Sequence, residues 1–430
     1  MPEHTISDQE MPKLCHKSWW CKPCYSTHFK NGFDKWKSGN DTIDKFIQGA
    51  QLNADDSDKV IEWIPYDRTQ YIKQIAKGGY ATIYYAEWVD GYIQYWDIEN
   101  QKWKRKGQIE VVLKKFDGTV DINESFLNEL TIHLRTNGKY SSSSFYGITK
   151  DPETHEYMMV LKYFKGGSLR NYLNKNFNNI DWNYKLYYLK DLTYGFKGIH
   201  KLDIVHCDFH PGNILSSNFE HLYGIDISDF GLSKLIIESK KKSPNKTISG
   251  VLPYIAPEVL IGGEYTKAAD VYSFAFVAYE IITGLPPYHD VPHDKDLAFK
   301  ICCGFRPKIP FHTPKLITQI IMRCWDARIT QRPTFEELDQ ELDKHWDDKN
   351  SNEISIQIKE AEEFSKNQTT TTPRNYKTHP RAIYTSRLLN FSNLPKPKNK
   401  ENFEKKLEEL TKSFYQINAS DDDDLDMFDL

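Results

Sequence analysis

The chain lacks any long, uninterrupted apolar segment. Its longest apolar stretch, residues 271–282, is interrupted by Ser273 and Glu280. It is also shorter than the roughly 20 residues that a membrane-spanning helix needs. No N-terminal segment shows the basic and then apolar pattern of a signal peptide. We therefore expect a soluble, cytoplasmic protein that has no membrane partner.

The chain also lacks a strong net charge and a dense set of cysteines. Its formal net charge is -4 over 430 residues, so no bulk attraction to nucleic acid is implied and we expect no nucleic-acid partner. Seven cysteines are an odd number in so long a chain, which argues against a disulfide scaffold and favours a reduced intracellular protein. The length exceeds that of one ordinary domain, so a two-lobed unit with flanking segments is reasonable.

Three segments of the chain differ in composition. Residues 1–65 are polar and carry three of the cysteines, residues 66–346 have the patterns of a folded domain, and residues 347–430 include a Thr run, a Pro-rich stretch and an acidic run. Because such a tail buries little apolar surface, we expect it to be largely disordered, with one helix over residues 401–416. The N-terminal segment or the acidic run could contact a regulatory protein.

Within residues 66–346 the predicted strands come first and the predicted helices follow. Gly78 and Gly79 predict a hairpin turn. Helices are predicted from apolar residues at helical spacing and from capping boxes, in which a capping residue is followed three residues later by Glu. The predicted elements are hairpins over 71–88 and 92–105, a helix capped by Asp121 with Glu124, helices over 182–200 and 271–283, and a helix capped by Thr334 with Glu337.

Two short motifs carry the chemistry of the chain. The first runs from His206 to Asn213 and contains Asp208, and the second is Asp229-Phe230-Gly231. An Asp and an Asn five residues apart on a loop, followed by a second Asp on a turn that ends in Gly, suit phosphoryl transfer. Asp208 would accept the proton of an attacking hydroxyl. The side-chain oxygens of Asn213 and Asp229 would hold Mg²⁺, a hard cation that takes oxygen ligands.

These two motifs resemble the catalytic loop and the metal-binding turn of eukaryotic protein kinases. Further segments are similar to those of the tyrosine-kinase-like group, namely Gly166 to Leu169, Cys324-Trp325 and Arg332 to Phe335. The resemblance implies an α+β, two-lobed protein kinase-like fold with a small β-rich N-lobe and a larger α-helical C-lobe. It also implies an enzyme that uses ATP and Mg²⁺ to phosphorylate protein substrates in signalling.

The same resemblance assigns residues to nucleotide binding. Lys114 would hold the α- and β-phosphates, and Glu129 would be its ion-pair partner, since an unpaired buried charge is costly. The nucleotide loop departs from the family pattern, because Ala76 and Ala81 stand where two of the three glycines are expected. The residues assigned to the nucleotide are Ile75, Gly78, Gly79, Tyr80, Ile83, Lys114, the gatekeeper Leu161 and the hinge from Lys162 to Phe164.

Other positions in the resemblance would hold the site together. Glu258 would pair with Arg332, Asp270 would brace the catalytic loop, and His206 would orient that loop. Cys207 stands where the family usually has Arg, and we expect it to be a small buried residue without a redox role. Because a thiol cannot dock a phosphate, we expect basal activity to be largely independent of activation-loop phosphorylation.

The motifs leave the acceptor hydroxyl open. Serine/threonine kinases have Lys where this chain has His210 and Thr where it has Val251, and the catalytic-loop Arg of tyrosine kinases is absent, since position 212 is Gly. We predict transfer to Ser or Thr, with a tyrosine or dual-specificity kinase as an alternative. A pseudokinase that binds nucleotide without turnover is a further alternative. The retained set of Lys114, Glu129, Asp208, Asn213 and Asp229 favours an active enzyme.

The N-terminal cysteines raise a separate question. Cys21 and Cys24 form a CxxC pair, a common zinc knuckle, and Cys15 with His16 or His28 could complete four ligands. A second CxxC is missing. Zinc is therefore one hypothesis for this segment, and reduced thiols without a metal are the favoured interpretation.

Overall fold

The computed structural model describes residues 20–78, 81–116, 122–138, 142–221, 224–236, 248–347, 353–367 and 376–411. Two compact units are distinguished, unit 1 (Met1–Tyr163) and unit 2 (Phe164–Leu430). Within the described ranges, no helix is both long and apolar enough to cross a membrane.

Unit 1 is rich in β-structure, as the sequence predicts. The hairpins expected over 71–88 and 92–105 are both present, and the first begins slightly earlier, at Thr69. The described elements of unit 1 are α1 (Lys22–Lys30), α2 (Asp41–Asn53), β1 (Glu62–Trp63), β2 (Thr69–Lys77), β3 (Ala81–Trp88), β4 (Ile93–Asp97), β5 (Lys102–Arg105), β6 (Ile109–Phe116), α3 (Glu124–Thr136), β7 (Phe145–Lys150) and β8 (Tyr157–Lys162).

Six of these strands form one sheet in the order β1-β7-β8-β6-β3-β2. Only β1 and β7 pair in parallel in this sheet, and the other described neighbours are antiparallel. Val111 and Leu113 of β6 are fully buried on one face. Because side chains alternate along a strand, Lys114 lies on the opposite face, and its register sets it beside Ile83 of β3 and Met159 of β8.

The described N-terminal residues, from 20 onward, are part of unit 1. The side-chain oxygen of Asn40 caps α2, and the apolar stripe of α2 is buried against α3. The residues of this shared cluster include Ile43, Ile47, Ala50, Phe126 and Leu130. The N-terminal segment therefore supports the helix that carries Glu129.

An aromatic cluster joins α1 to the inserted β4–β5 hairpin. The rings of His28 and Trp96 stack with centroids 4.0 Å apart, and those of Phe29 and Trp103 stack at 4.4 Å. These contacts explain why the insert is so rich in Trp and Tyr, since large aromatic side chains bury much apolar surface.

Helix α3 begins differently from the prediction. Its N-cap is Asn123, whose side chain accepts a hydrogen bond from the backbone N–H of Phe126 at 2.8 Å. The capping box predicted from Asp121 and Glu124 is therefore wrong, because Glu124 is the first helical residue rather than the third. Asp121 itself lies outside the described residues.

Unit 2 is mainly helical. Besides the elements named here, residues 403–411 are also helical. The elements are α4 (Leu169–Asn176), α5 (Trp182–Lys201), β9 (Ile204–Val205), β10 (Ile214–Ser216), β11 (Ile225–Ile227), β12 (Lys234–Leu235), β13 (Ile248–Gly250), α6 (Pro257–Leu260), α7 (Lys267–Thr283), α8 (Lys295–Cys302), α9 (Lys315–Cys324), α10 (Phe335–Asp347), α11 (Glu353–Asn367) and β14 (Arg387–Leu389).

Helix α7 is the centre of unit 2, and all but its first two residues are buried. It starts one turn before the predicted position because Thr266 caps it through the N–H of Ala269. It ends as predicted at Gly284, whose φ of 67° is a left-handed conformation that glycine adopts without strain. The predicted capping box of α10 is also present, with Thr334 and Glu337 bonding each other's backbone N–H groups.

The tail is only partly as expected, because residues 376–411 pack against the rest of unit 2. Asn399 anchors this segment, since its side-chain oxygen accepts from the N–H of Ala327 at 2.8 Å and its amide donates to Asp326 at 2.8 Å. This segment is therefore anchored to the rest of unit 2, and disorder elsewhere in the tail stays a prediction. The helix expected over 401–416 is found over 403–411, and residues 412–416 lie outside the described ranges.

Candidate active site

Unit 1 contributes a buried ion pair. The Nζ atom of Lys114 on β6 lies 2.5 Å from Oε1 of Glu129 on α3. Both residues are almost completely buried, at 5% and 1% exposure. His133, one turn along α3, has its Nε2 atom 3.7 Å from the same Glu129 oxygen. The pair was predicted from the order of motifs, and a carboxylate beside a buried ammonium offsets much of its desolvation cost.

The other residues assigned to the nucleotide are distributed along the sheet. Ile75 is exposed on β2, Ile83 is half-buried on β3, and Leu161 is buried on β8. The N–H of Gly78 donates to the carbonyl of Ala81 at 2.9 Å, which closes the described part of the hairpin turn. The remaining loop residues, Gly79 and Tyr80, lie outside the described ranges.

The predicted hinge falls at the boundary of the two units. Lys162 is the last residue of β8 and its N–H donates to the carbonyl of Ser144 at 3.0 Å. Phe164 is the first residue of unit 2, where it is buried and its carbonyl accepts from the N–H of Gly167 at 3.0 Å.

In unit 2 the catalytic loop is braced by Asp270 of α7. The carboxylate of Asp270 accepts hydrogen bonds from the backbone N–H groups of His206 at 2.8 Å and Cys207 at 3.0 Å. The ring of His206 is fully buried, with Nε2 bonded to the carbonyl of Ser228 at 3.1 Å and Nδ1 accepting from the N–H of Asp208 at 3.3 Å. His206 therefore orients the loop that carries Asp208.

Cys207 is buried in a left-handed conformation, with a φ of 68°. Burial raises the pKa of its thiol well above the ordinary value, and the nearby Asp270 carboxylate adds to the shift. The side chain therefore stays a neutral thiol, which matches the predicted small buried residue.

Asp208 has a strongly perturbed carboxyl group. It is 7% exposed, and burial raises its pKa to about 7, while the hydrogen bond from Ser386 opposes that rise. The negative charge of Asp229 raises the pKa further, and the amide of Asn213 opposes it. A carboxylate with a pKa near the working pH is suited to general base catalysis.

The predicted metal ligands flank Asp208. The amide of Asn213 donates to the backbone carbonyl of Asp208 at 3.0 Å, which fixes the orientation of the side-chain oxygen. Asp229 is exposed, has a φ of 62° and accepts from the N–H of Gly231 at 3.3 Å. Sparsely populated backbone conformations of this kind cluster at functional sites.

His210, which stands where serine/threonine kinases have Lys, is a buried neutral ring. Its Nδ1 atom accepts from the N–H of Gly212 at 3.0 Å, and its Nε2 lies 3.8 Å from Asp208. Burial, together with the positive charge of Arg170, lowers the pKa of His210 well below its ordinary value. The ring is therefore neutral near pH 7.

Two residues of the site were missed by sequence reasoning. Ser386, in the tail, donates a hydrogen bond to Oδ2 of Asp208. Arg170 on α4 is buried and pairs with Glu280 at 3.1 Å. Burial would lower the pKa of Arg170, but the charges of Glu280 and Tyr254 raise it overall. The sequence shows only that Ser386 is a serine next to Arg387, in a segment that was expected to be disordered.

The ion pair between Glu258 and Arg332 closes this part of unit 2. The guanidinium donates to both carboxylate oxygens, at 2.6 and 2.8 Å. The Arg332 side chain also donates to the carbonyls of Asp326 and Ala268. The pair was predicted from the resemblance, and its bidentate geometry fixes the segment that follows β13.

The N-terminal cysteines lie at the start of α1. The Sγ atoms of Cys21 and Cys24 are 3.2 Å apart. Among the residues that the structure describes, no group of three or more His, Cys, Asp or Glu side chains could hold a metal ion. Cys15 and His16 lie outside those residues.

Comparison with known proteins supports a kinase relationship. The family described as protein tyrosine and serine/threonine kinase matches residues 69–342. The chain is 27% identical to the mitogen-activated protein kinase kinase kinase nsy-1 of Caenorhabditis elegans over 73% of its length. It is 31% identical over 70% of its length to a serine/threonine-protein kinase/receptor of Acanthamoeba polyphaga mimivirus, and 27% identical over 65% to the dual specificity protein kinase pyk3 of Dictyostelium discoideum. It spans only 20%, 17% and 19% of these relatives.

Proposed function

The chain belongs to the protein tyrosine and serine/threonine kinase family, and on that premise we propose that it is an ATP-dependent kinase of protein Ser and Thr residues. The observation that carries this proposal is the environment of Asp208. Its buried carboxylate has a pKa of about 7 and accepts a hydrogen bond from an aliphatic hydroxyl. That is the contact a general base must make with an attacking hydroxyl.

Lys114 would hold the phosphates of ATP in this proposal. Its ammonium is held in place by Glu129, and the central position of β6 leaves it little freedom to move. Phosphoryl transfer depends mostly on positioning and electrostatic stabilisation, so a fixed positive charge is the contribution expected of unit 1. Ile75, Gly78, Ile83, Leu161, Lys162 and Phe164 remain predicted nucleotide contacts, together with Gly79 and Tyr80.

Asn213 and Asp229 would hold Mg²⁺ in unit 2. They offer one amide oxygen and one carboxylate, the hard oxygen donors that this ion takes. Two features fit this role: the Asn213 amide is held by the Asp208 carbonyl, and Asp229 is exposed in a constrained turn. When bound, the ion would neutralise phosphate charge, and the chain's own residues would orient the nucleotide and accept the proton.

The acceptor class follows from the space beside Asp208. Gly250 at the end of β13 has a φ of 138°, and a Cβ atom built there would lie 3.3 Å from Oδ1 of Asp208. A peptide paired with β13 therefore brings its backbone close to the base, so that a serine side chain reaches it, as Ser386 does. The longer tyrosine side chain would place its hydroxyl beyond this point.

A cytoplasmic location remains a prediction from the sequence, and so does a regulatory partner of the N-terminal segment or acidic tail. Zinc is not part of the proposal, because in the described part of the chain only Cys21 and Cys24 lie together.

The test is Asp208→Asn compared with the matched surface variant Asp296→Asn, because Asp296 is exposed on α8. Each protein is incubated with Mg-ATP and myelin basic protein, followed by phosphoamino-acid analysis. We expect Asp208→Asn to bind nucleotide but lose transfer, and Asp296→Asn to match the parent chain. Phosphoserine and phosphothreonine should be the products. Near-normal transfer by Asp208→Asn would contradict the proposed role, and exclusive phosphotyrosine would contradict the acceptor class.

A further inference from the structure

A segment of the chain's own tail lies against the catalytic loop. Ser386 donates a hydrogen bond to Oδ2 of Asp208, and its Oγ atom is 3.5 Å from Nε2 of His210. The preceding residue, Thr385, is exposed instead. Of these two neighbouring acceptors, the fold therefore presents only Ser386 to the base.

Backbone pairing fixes the register of this segment. β14 pairs antiparallel with β13, and the partners are Gly250 with Arg387, Ser249 with Leu388, and Ile248 with Leu389. Adding a strand to an exposed edge is a common way for a protein to bind an extended peptide, with main-chain bonds for affinity and side-chain pockets for specificity. The docked segment therefore has the geometry of a bound peptide.

The residues before Ser386 are held by a buried cation. Arg170 donates to the carbonyl of Tyr384 at 3.1 Å, and its guanidinium lies 5.0 Å from the centre of the Tyr384 ring. The Tyr384 hydroxyl donates to the carbonyl of Pro287 at 2.9 Å. Because Glu280 pairs with the same guanidinium, Arg170 is a fixed platform for the segment.

The residues after Ser386 are held as well. The guanidinium of Arg387 donates to the carbonyl of His293 at 2.6 Å. Leu389 is 5% exposed, whereas its neighbour Leu388 is 61% exposed. Anchors on both sides of Ser386 therefore hold its hydroxyl at Asp208, and Leu389 is the apolar contact that can be removed to test this.

We propose that Ser386 is a phosphorylation site of this chain's own active site, and that the docked segment 383–389 blocks other substrates until it is phosphorylated. This rests on the proposed kinase function. In the step, Oγ of Ser386 bonds to the γ-phosphorus of ATP, the bond from that phosphorus to the oxygen bridging to the β-phosphate breaks, and ADP leaves. The hydroxyl proton passes to Oδ2 of Asp208.

The product should leave the site because its charge is not matched there. A phosphoserine carries about two negative charges near neutral pH, and once Asp208 has passed its new proton to solvent, the phosphate would lie beside the Asp208 carboxylate. His210 is neutral in this environment, since burial lowers its pKa, and Arg170 is already paired with Glu280. Repulsion of like charges should therefore weaken the pairing of β14 with β13 and open the site to other proteins.

The experiment measures phosphate at Ser386 in the full chain by tandem mass spectrometry after incubation with Mg-ATP. The variants are Ser386→Ala with the matched control Thr385→Ala, and Leu389→Asp with the matched control Leu388→Asp. Rates are measured over a range of protein concentrations, and myelin basic protein is the external acceptor. Thermal unfolding of each variant shows that it is folded.

We expect phosphate on Ser386 of the parent chain, Thr385→Ala and Leu388→Asp, at a rate independent of protein concentration. Ser386→Ala should lose it and should phosphorylate the external acceptor more slowly than Thr385→Ala, because its segment cannot be released. Leu389→Asp should lose phosphate at Ser386 and gain external activity. In the parent chain, external activity with no phosphate at Ser386, or a rate of Ser386 phosphorylation that rises with protein concentration, overturns the inference alone. No transfer to either acceptor overturns the proposed function.

Discussion

The phosphorylation of Ser386 should depend steeply on pH, because Asp208 must be ionised both to hold the serine hydroxyl and to accept its proton. Burial raises the pKa of Asp208 to about 7, so the active form is lost as the pH falls through that value. An ordinary aspartate with a pKa of about 3.9 would stay ionised across the same range. The prediction can therefore be tested by changing the pH alone, without a substitution.

The size of the effect follows from the titration of one group. With a pKa of about 7, roughly a tenth of Asp208 is ionised at about pH 6 and roughly nine-tenths at about pH 8. The ionised fraction of the metal-free protein should then rise roughly tenfold over these two units, and a Mg²⁺ ion held by Asn213 and Asp229 would shift the rise of the rate to lower pH. An unperturbed carboxylate would give almost no change, since more than roughly 0.99 of it is ionised at both values.

The assay is a single-turnover measurement of phosphate at Ser386, with Mg-ATP saturating at every pH. Because acceptor and enzyme are one chain, no binding of an external substrate enters the profile. The matched control is the Leu388→Asp chain, whose substitution is at an exposed position and whose profile should coincide with that of the parent. A rate that is flat between about pH 5 and about pH 8 would refute the reasoning from the burial of Asp208.

Two further predictions concern the frame of unit 2. Glu258→Gln and Arg332→Met each remove one partner of the buried Glu258–Arg332 pair, and each should lower the free energy of unfolding by about 3–5 kcal/mol. The double variant should lower it by less than the sum of the two single effects. Urea unfolding measures this, and additive effects would show that the two side chains do not interact. Gly250→Ala should reduce phosphoryl transfer, because its Cβ would lie 3.3 Å from Asp208. The control is Gly262→Ala, since Gly262 has a φ of 89° and open space around it. This control should cost about 1–3 kcal/mol of backbone strain and leave transfer unchanged. Equal loss of transfer in both glycine variants would contradict the role given to Gly250.

The parts of the fold that the sequence predicted are those encoded by local chemistry. Three features depend on residues that are close in sequence: the Thr334–Glu337 capping box, the apolar run of α7 with Gly284 after it, and the two hairpins. The pairs Lys114–Glu129 and Glu258–Arg332 were predicted from the resemblance to protein kinases, and the structure forms both contacts.

The parts that were missed depend on contacts that composition does not report. The docking of β14 rests on backbone pairing with β13 and on carbonyl groups that accept from Arg170, and any sequence of similar polarity could supply those groups. A tail judged by its average composition therefore looks disordered. By contrast, α2 did carry a signal, since Ile43, Ile47 and Ala50 recur at helical spacing. That signal was missed because residues 1–65 were judged by their polarity.

The identity of residue 207 bears on where a regulatory charge can act. An activation-loop phosphate needs a cation beside the catalytic aspartate, and Cys207 is a buried, neutral thiol whose pKa is raised by burial. The buried cation of this region, Arg170, is paired with Glu280 and bonded to the tail at Tyr384. The tail therefore already contacts the guanidinium of Arg170, the cation that could otherwise bind a phosphate on the activation loop. A phosphate added at Ser386 acts by repulsion from Asp208, so it can change activity without any docking cation. This form of regulation is therefore compatible with Cys207 in place of the family's arginine.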